Sequence, residues 1–146
     1  MTETLDNKYL LALINSKLIN WFFQHENFHM VGKPLAEIKV VFVERLPVKM
    51  IDLAEQQLFV EKANQILAKN RELNDLKSRF LNYLQSKFLM EGFSNNLKNW
   101  PKLEFSIFLK ELKKAKVKLT LSEEAEWMDY FNEQKQKAQA LKSEID

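Results

Sequence analysis

Two histidines near the amino terminus have the spacing of a zinc site. Residues 23–29, FQHENFH, contain the string His-Glu-x-x-His, with His25 and His29 four positions apart and Glu26 after the first. On one helical face, two imidazoles at this spacing reach a single zinc ion, and the glutamate polarises the metal-bound water. The string is therefore typical of zinc hydrolases, and apolar neighbours surround it here as in such helices.

Three features weigh against catalytic zinc. The chain has no other histidine, so the third ligand would be a carboxylate, and the sequence singles out none. Gly32 and Pro34 follow closely, which places His29 in the last turn of a helix or beyond it. Little ordered chain surrounds the motif to build a cleft. We interpret both histidines as helix-end residues near the negative end of the dipole, and a zinc hydrolase remains a remote alternative.

A run of lysines is the second feature with binding chemistry. Residues 98–118 contain seven lysines and two acids, although the net charge of the chain is only +2. Such a segment could contact a polyanion, or it could form the solvated face of an amphipathic helix. The seven are Lys98, Lys102, Lys110, Lys113, Lys114, Lys116 and Lys118.

Composition favours one domain, or one compact part with an extended arm, built mostly from helices. The 146 residues are 46% apolar, with two glycines and three prolines, which implies long regular elements and few tight turns. No cysteine is present, which excludes disulfides and thiolate metal sites. The apolar runs are too short for a membrane span. We expect a cytoplasmic protein without membrane contact.

The amino-terminal part, residues 1–51, is predicted to be a small α+β unit. Asp6 can cap a helix that runs to about Gln24. Residues 38–47, IKVVFVERLP, are rich in β-branched side chains and predict a strand that ends at Pro47. One or two short strands are therefore expected beside the helix.

Residues 52–146 are predicted to form a second domain, a long helical hairpin resembling a coiled coil. Asp52 and Glu55 are spaced as a capping box, and no helix breaker follows before Gly92, which gives a rod of roughly 55 to 60 Å. Along this rod a mostly apolar stripe recurs at alternating intervals of four and three residues, as in a coiled coil, and Asn70 and Lys77 are its polar members. The apolar members are at 59, 63, 66, 73, 80 and 84.

Two further helices complete the predicted hairpin. One covers residues 105–116, and the other starts at a capping box, Thr120 to Glu123, and runs to the last residue. The last helix should cover the stripe of the rod, although a homodimer through the long helix is an open alternative. Aromatic residues on the apolar stripes should pack in the core rather than stack on bases. They are Trp100, Trp127, Tyr130 and Phe131.

Six segments occur in a characteristic order: KYLLALINSKLINWFF, VERLPV, EQQLFVEKANQIL, LKSRFLNYLQSKF, FSIFLKELKKAKVKLTL and EEAEWMDYFNEQK. Over residues 7–146 this order resembles the C-terminal, TaqI-like specificity domain of bifunctional type IIG restriction-modification enzymes and related adenine-specific DNA methyltransferases. In that family a target recognition domain reads DNA, and a long helix carries it away from the catalytic core. The resemblance identifies residues 13–18 and 42–47 with the closing half of the recognition domain.

The resemblance implies a non-catalytic part of a larger enzyme. The family's methyltransferase domain carries Asn-Pro-Pro-Tyr/Phe, which holds a flipped adenine. This chain has no Asn-Pro or Pro-Pro pair, and it lacks a glycine-rich cofactor turn and a metal-dependent cleavage motif. S-adenosylmethionine and Mg²⁺ are therefore expected only in the parent restriction endonuclease and methyltransferase.

We thus expect a DNA-recognition and spacer fragment whose partners are double-stranded DNA and the catalytic part of the parent protein. The lysines of residues 98–118 would pair with phosphates, and Lys33 and Lys39 lie where a loop could reach bases. The alternative is a structural helical module, for interaction or dimerisation, without intrinsic DNA binding.

Overall fold

The computed structural model describes residues 4–26 and 44–146, and all of their regular structure is helical. A short 3-10 helix, Trp100–Lys102, lies among the α-helices. The chain divides into two compact units, Met1–Gln65 and Ile66–Asp146, at a point inside the longest helix. In order, the α-helices are α1 Asn7–Ile14, α2 Lys17–Glu26, α3 Leu53–Phe88, α4 Asn95–Lys98, α5 Phe105–Lys114 and α6 Leu121–Ile145.

The predicted strand over residues 38–47 is wrong in the part that the structure describes. Residues 44–46 form a turn and a bend, residues 47–50 are irregular, and residues 38–43 lie outside the described chain. Pro47 has no N–H to donate to a sheet. The backbone carbonyl of Lys49 instead accepts a hydrogen bond of 2.7 Å from the Tyr9 hydroxyl. The mainly α class is confirmed, and the described residues contain none of the predicted short strands.

The single amino-terminal helix that the sequence predicts is two helices. The cap at Asp6 is confirmed, because its side chain accepts a hydrogen bond of 2.6 Å from the first turn of α1. The break comes at Asn15, whose amide donates to the carbonyl of Leu11 at 2.8 Å. Ser16 then accepts a hydrogen bond from the backbone N–H of Ile19 at 3.2 Å and starts α2. Short polar side chains compete with the helix for backbone groups, which ends one helix and caps the next.

A buried amide holds the first unit together. Gln56 on α3 is only 1% exposed. Its oxygen accepts from the backbone N–H of Asp6 at 2.8 Å. Its nitrogen lies 3.2 Å from the carbonyl of Thr4 and 2.9 Å from that of Ile51. The side chain therefore satisfies backbone groups from two separate segments, as a buried polar group requires.

The long helix α3 begins as predicted and ends earlier. The Asp52 carboxylate accepts a hydrogen bond of 2.7 Å from the backbone N–H of Glu55, which confirms the cap. The predicted end at Gly92 is wrong, because α3 stops at Phe88 after 36 residues. Leu89 follows in the left-handed region, with φ of 50°. A residue in that conformation ends a helix, and here it is a leucine and not the glycine.

The second unit confirms an antiparallel helical hairpin. Near the middle of α3, Lys69 forms an ion pair with Glu144 at 2.8 Å, close to the end of α6. At the end of α3, Phe88 lies 5.3 Å from Trp127 near the start of α6. The two helices therefore run in opposite directions. Their shared core consists of Phe80, Leu84, Met90, Leu97, Trp100, Phe108, Leu112, Trp127, Phe131 and Ala138.

The predicted stripe of α3 is only partly buried. Phe80 and Leu84 are fully buried and Ala63 nearly so, whereas Phe59 and Ile66 are 38% and 41% exposed. The carboxyl-terminal half of α3 thus has the covered seam of a coiled-coil-like hairpin. Its amino-terminal half presents apolar side chains to solvent.

The start of α6 is also as predicted, whereas α5 stops two residues early. The capping box of Thr120 and Glu123 is complete, since each side chain bonds the other residue's backbone N–H. On α6, Trp127 and Phe131 are buried, whereas Ala125 and Met128 are exposed. The last residue of α5 is Lys114, and the predicted end was residue 116.

A Schellman motif ends α5. The backbone N–H of Val117 donates to the carbonyl of Leu112, and that of Lys116 donates to the carbonyl of Lys113, both at 3.0 Å. Lys116 occupies the left-handed position, with φ of 63°. Glycine usually stands there, because its lack of a Cβ removes the steric penalty.

We predict that Lys116→Gly stabilises the protein. Relief of the left-handed strain should exceed the entropy that glycine loses on folding, so the free energy of unfolding should rise by about 0.5 to 1 kcal/mol. Urea unfolding followed by circular dichroism measures this change. Ala115→Gly is the matched control, because Ala115 has φ of −79° and should only lose stability. A less stable Lys116→Gly variant would contradict the strain argument.

Candidate nucleic-acid interface

The outer face of α5 carries part of the lysine run. Phe108 and Leu112 point into the core and are at most 1% exposed. At 3.6 residues per turn, Lys110, Lys113 and Lys114 lie on the opposite side of the helix, and all three are exposed. The structure therefore brings these three predicted lysines together on one surface.

The lysines differ in whether their charge is already balanced. The ammonium group of Lys114 lies 2.7 Å from a carboxylate oxygen of Glu111. Within residues 4–26 and 44–146, the other six form neither an ion pair nor a side-chain hydrogen bond, so their charges face solvent. These six are Lys98, Lys102, Lys110, Lys113, Lys116 and Lys118.

Glu111 is a buried carboxylate held by three donors. It is 4% exposed. The Ser94 hydroxyl donates to it at 2.6 Å, the Asn96 amide at 3.1 Å, and Lys114 at 2.7 Å. These hydrogen bonds, that from Lys114 first, lower the pKa of Glu111 from 4.5 to about 2. A buried carboxylate that is satisfied in this way stays ionised at neutral pH.

This network positions the segment that carries Lys98 and Lys102. Ser94 also accepts a hydrogen bond of 3.2 Å from the backbone N–H of Leu97, and so it caps α4 while it donates to Glu111. The same hydroxyl therefore ties α4 to α5. Lys98 ends α4 and Lys102 ends the 3-10 helix, so both follow the segment that Glu111 anchors to α5.

Sequence reasoning did not find the Glu111 network. Its one signal is the position of Glu111, which lies three residues after Phe108 and directly before Leu112, on the edge of the buried face. Ser94 and Asn96 lie between α3 and α5, where polar residues are common. Their role depends on contacts across 15 and 17 residues, which no local pattern reveals.

Other predicted site residues fall outside the described chain or stand apart. Lys33, Lys39 and His29 belong to residues that the structure does not describe. His25 lies in the last turn of α2, as predicted for a helix-end residue. Its Nδ1 is 2.8 Å from the carbonyl of Trp21, and the two ring centroids are 4.1 Å apart with the planes tilted by 31°.

The predicted core role of the aromatic residues is confirmed. Trp100 and Phe131 are fully buried and Trp127 is 7% exposed. Tyr130 is half-buried and stacks on Phe80 with ring centroids 5.9 Å apart. Because other rings cover them, these side chains are not platforms for stacked bases.

The fold and this surface together define a helical protein with a lysine face on a short helix beside the hairpin. Residues 52–146 match the model of a domain of unknown function, DUF8810, and the chain belongs to that family. No curated protein and no solved structure is similar to the chain. The matched range is the one predicted as the second domain, although the compact units divide at residue 65. Within the described helices, none is long and apolar enough to cross a membrane.

We predict that Glu111→Gln loosens the α4–α5 junction. Glutamine has one acceptor oxygen where the carboxylate has two, and its NH₂ group would face the donors Ser94, Asn96 and Lys114. The free energy of unfolding should therefore fall by about 2 kcal/mol. Urea unfolding measures it. Glu104→Gln is the control, because Glu104 is 79% exposed in its pair with Lys135 and should change stability little. Equal stability of both variants would mean that the network does not hold the junction.

The same network predicts a pH dependence. The pKa of Glu111 is lower in the folded state, about 2, than the ordinary 4.5 expected after unfolding. Its contribution to stability is therefore complete above about pH 4.5 and is lost as the pH falls toward 2. Wild-type protein should lose more stability across this range than Glu111→Gln. Parallel stability curves for the two proteins would argue against the lowered pKa.

Proposed function

We propose that the chain is a non-catalytic DNA-recognition and spacer fragment of a type IIG restriction-modification enzyme in the cytoplasm. The observation that supports this proposal is the set of lysines, without ion-pair partners among the described residues, on and beside α5. Double-stranded DNA is the partner that this chemistry favours. S-adenosylmethionine and Mg²⁺ would belong to the methyltransferase and endonuclease part of the parent protein.

The proposed contact is electrostatic. Each lysine that pairs with a phosphate releases a condensed counterion, so binding should weaken steeply as salt is added. Such contacts place the protein on the duplex without reading its sequence. Anchoring by Glu111 would fix the segment that carries Lys98 and Lys102 to the helix that carries Lys110 and Lys113, so that these lysines keep fixed positions relative to one another.

The hairpin suits the role of a spacer. The 36 residues of α3 form a helix of about 54 Å, and α6 braces its carboxyl-terminal half through the aromatic core. A helix covered along this seam resists bending better than an isolated one, since its stability comes from packing. In this proposal the spacer sets the distance between the DNA contact and the catalytic part of the parent enzyme.

We predict that Lys110→Gln/Lys113→Gln reduces the salt dependence of DNA binding. Fluorescence anisotropy with a labelled 30-base-pair duplex, repeated at several salt concentrations, gives the slope of log K against log salt. Each lost phosphate contact should make that slope shallower by about 0.9. The double variant should therefore bind more weakly at low salt and differ less from wild type at high salt.

The control removes the same charge elsewhere. Lys137 and Lys142 on α6 pair with Glu133 and Asp146, each four residues away along the chain. Lys137→Gln/Lys142→Gln should leave the slope unchanged. If both double variants lower binding equally, the affinity follows total charge and not the α5 surface. If wild type binds no better than an unrelated protein of equal charge, the proposed function is wrong.

A structural interaction module is the second candidate. It is favoured by apolar side chains on the first half of α3: Leu58 is 63% exposed, Ile66 41% and Leu67 37%. Exposed apolar groups on one helix are common at interfaces between protein chains. Under this alternative, sedimentation equilibrium should detect a dimer that Ile66→Lys weakens, and the duplex should not bind. A monomer that binds DNA with a steep salt slope would exclude it.

A further inference from the structure

One face of the first half of α6 exposes apolar side chains. Leu121 is 86% exposed and Met128 43%, and Ala125 between them is exposed as well. Their spacing of four and then three residues puts them along one side of the helix. Another side of α6 contributes Trp127 and Phe131 to the core. Leu121, Ala125 and Met128, the α6 stripe, are therefore apolar surface that the core does not cover.

Acidic side chains border the α6 stripe on both sides. Glu124 lies one helical turn before Met128, and Asp129 lies one turn after Ala125. Within the described part of the chain, neither acid forms an ion pair. Residues 119–134 contain five acids and no lysine or arginine. A partner that covers the stripe should therefore place cations at its edges.

The outer face of α5 has the complementary chemistry. Lys110 and Lys113, the α5 lysine face, are exposed and form no ion pair with any described residue. Leu109, one turn before Lys113, is half-buried and adds apolar surface beside them. Lys114 does not contribute, because its ammonium group is paired with Glu111. Cations beside apolar surface are what the α6 stripe requires.

The two faces do not meet within one molecule. The helices α5 and α6 pack on each other through Phe108 and Phe131, whose ring centroids are 4.7 Å apart. Both phenylalanines belong to the core, whereas the α5 lysine face and the α6 stripe are exposed to solvent. A contact between the two faces therefore joins two molecules.

We propose that the α6 stripe of one molecule docks on the α5 lysine face of a second copy of the chain. Apolar contact would join the stripe to Leu109, and the two lysines would pair with Glu124 and Asp129. The two surfaces differ, so the contact is heterologous and links copies head to tail, or closes a dimer where two copies exchange both contacts. This docking goes beyond the proposed function and does not depend on it.

Charge and apolar area together favour a second copy as the occupant. Exposed ion pairs alone stabilise a contact by only about 0 to 1 kcal/mol, so the apolar stripe supplies most of the affinity and the charges set the orientation. Duplex DNA is a poor occupant of the stripe, because the acids at its edges would face phosphates. A second copy carries the matching lysines and is present wherever the chain is.

The docking would also regulate the proposed DNA contact. Lys110 and Lys113 cannot pair with phosphates and with a second copy at the same time. Duplex DNA should therefore disperse the associated chains, and association should in turn weaken DNA binding at high protein concentration. This consequence alone rests on the proposed function.

Sedimentation velocity of the full chain tests the docking. Wild type should form a larger species at about 0.05 M salt and lose most of it at about 1 M, where charges are screened beyond about 3 Å. Lys110→Glu/Lys113→Glu and Met128→Lys/Asp129→Lys should each stay monomeric. An equimolar mixture of the two variants should restore the larger species, because one keeps the α6 stripe and the other keeps the α5 lysine face.

The mixture separates a lost contact from a lost fold, since an unfolded variant could not restore association. Ile66→Lys is the matched control, because it places a lysine at another exposed apolar residue. This variant should associate as wild type does. A larger species that only Ile66→Lys removes would assign the contact to α3 and overturn the docking.

Other results refute the docking directly. A wild type that stays monomeric at low salt, or two variants that remain apart when mixed, would do so while duplex binding still supports the proposed function. A larger species that persists with saturating duplex, while Lys110→Gln/Lys113→Gln lowers the salt slope, would overturn the assignment to these lysines. Restored association in the mixture without any duplex binding would support the docking and disprove the proposed function.

Discussion

The stack of Phe80 on Trp100 is the contact on which the second unit depends. The two rings lie 4.0 Å apart and are at most 1% exposed, and Phe131 and Phe108 pack around Phe80 at 6.1 and 6.0 Å. These side chains come from α3, the 3-10 helix, α5 and α6, so a single cluster joins four elements. This packing has a cost, because the indole N–H of Trp100 has no acceptor within the described part of the chain. That loss of about 1 to 3 kcal/mol is smaller than the gain from burying one such ring, about 4 kcal/mol or more.

The aromatic core also decides where charge can lie. Because Phe108 and Leu112 occupy the inner side of α5, its lysines must project outward. Glu111 is the exception, since it lies at the edge of the inner face and is almost completely buried. Three donors compensate for its desolvation, and two of them come from the segment before α5. The inner carboxylate and the outer lysines are therefore parts of one arrangement, in which the core fixes α5 and Glu111 fixes its neighbour.

Local signals could be read from the sequence, and contacts between distant residues could not. The caps at Asp6, Asp52 and Thr120 were predictable, because a cap needs only a short polar side chain and an N–H within three residues. The cluster of lysines in residues 98–118 was also visible in the sequence, because it depends on composition alone. The sequence did not predict the helix break at Asn15. That break depends on a hydrogen bond from the Asn15 side chain to the carbonyl of Leu11, and an asparagine in a helix can equally well bond to water. The sequence also did not show that Lys114 is the lysine with an ion-pair partner, because that depends on where the fold places Glu111.

The helix ends show why a glycine in the sequence is a weak guide to a turn. Gly92 is close to the end of α3, yet its backbone is not left-handed and no other atom would lie within 4 Å of an added Cβ. Among residues 4–26 and 44–146 the left-handed residues are Leu89 and Lys116, where the chain accepts strain that glycine would avoid. In each case the side chain that causes the strain projects into solvent at one cleft, lined by residues 88–92 and 114–116. At Lys116 two backbone hydrogen bonds, from Val117 to Leu112 and from Lys116 to Lys113, hold the chain in this conformation, so hydrogen bonding at the helix end outweighs the preference of the residue type.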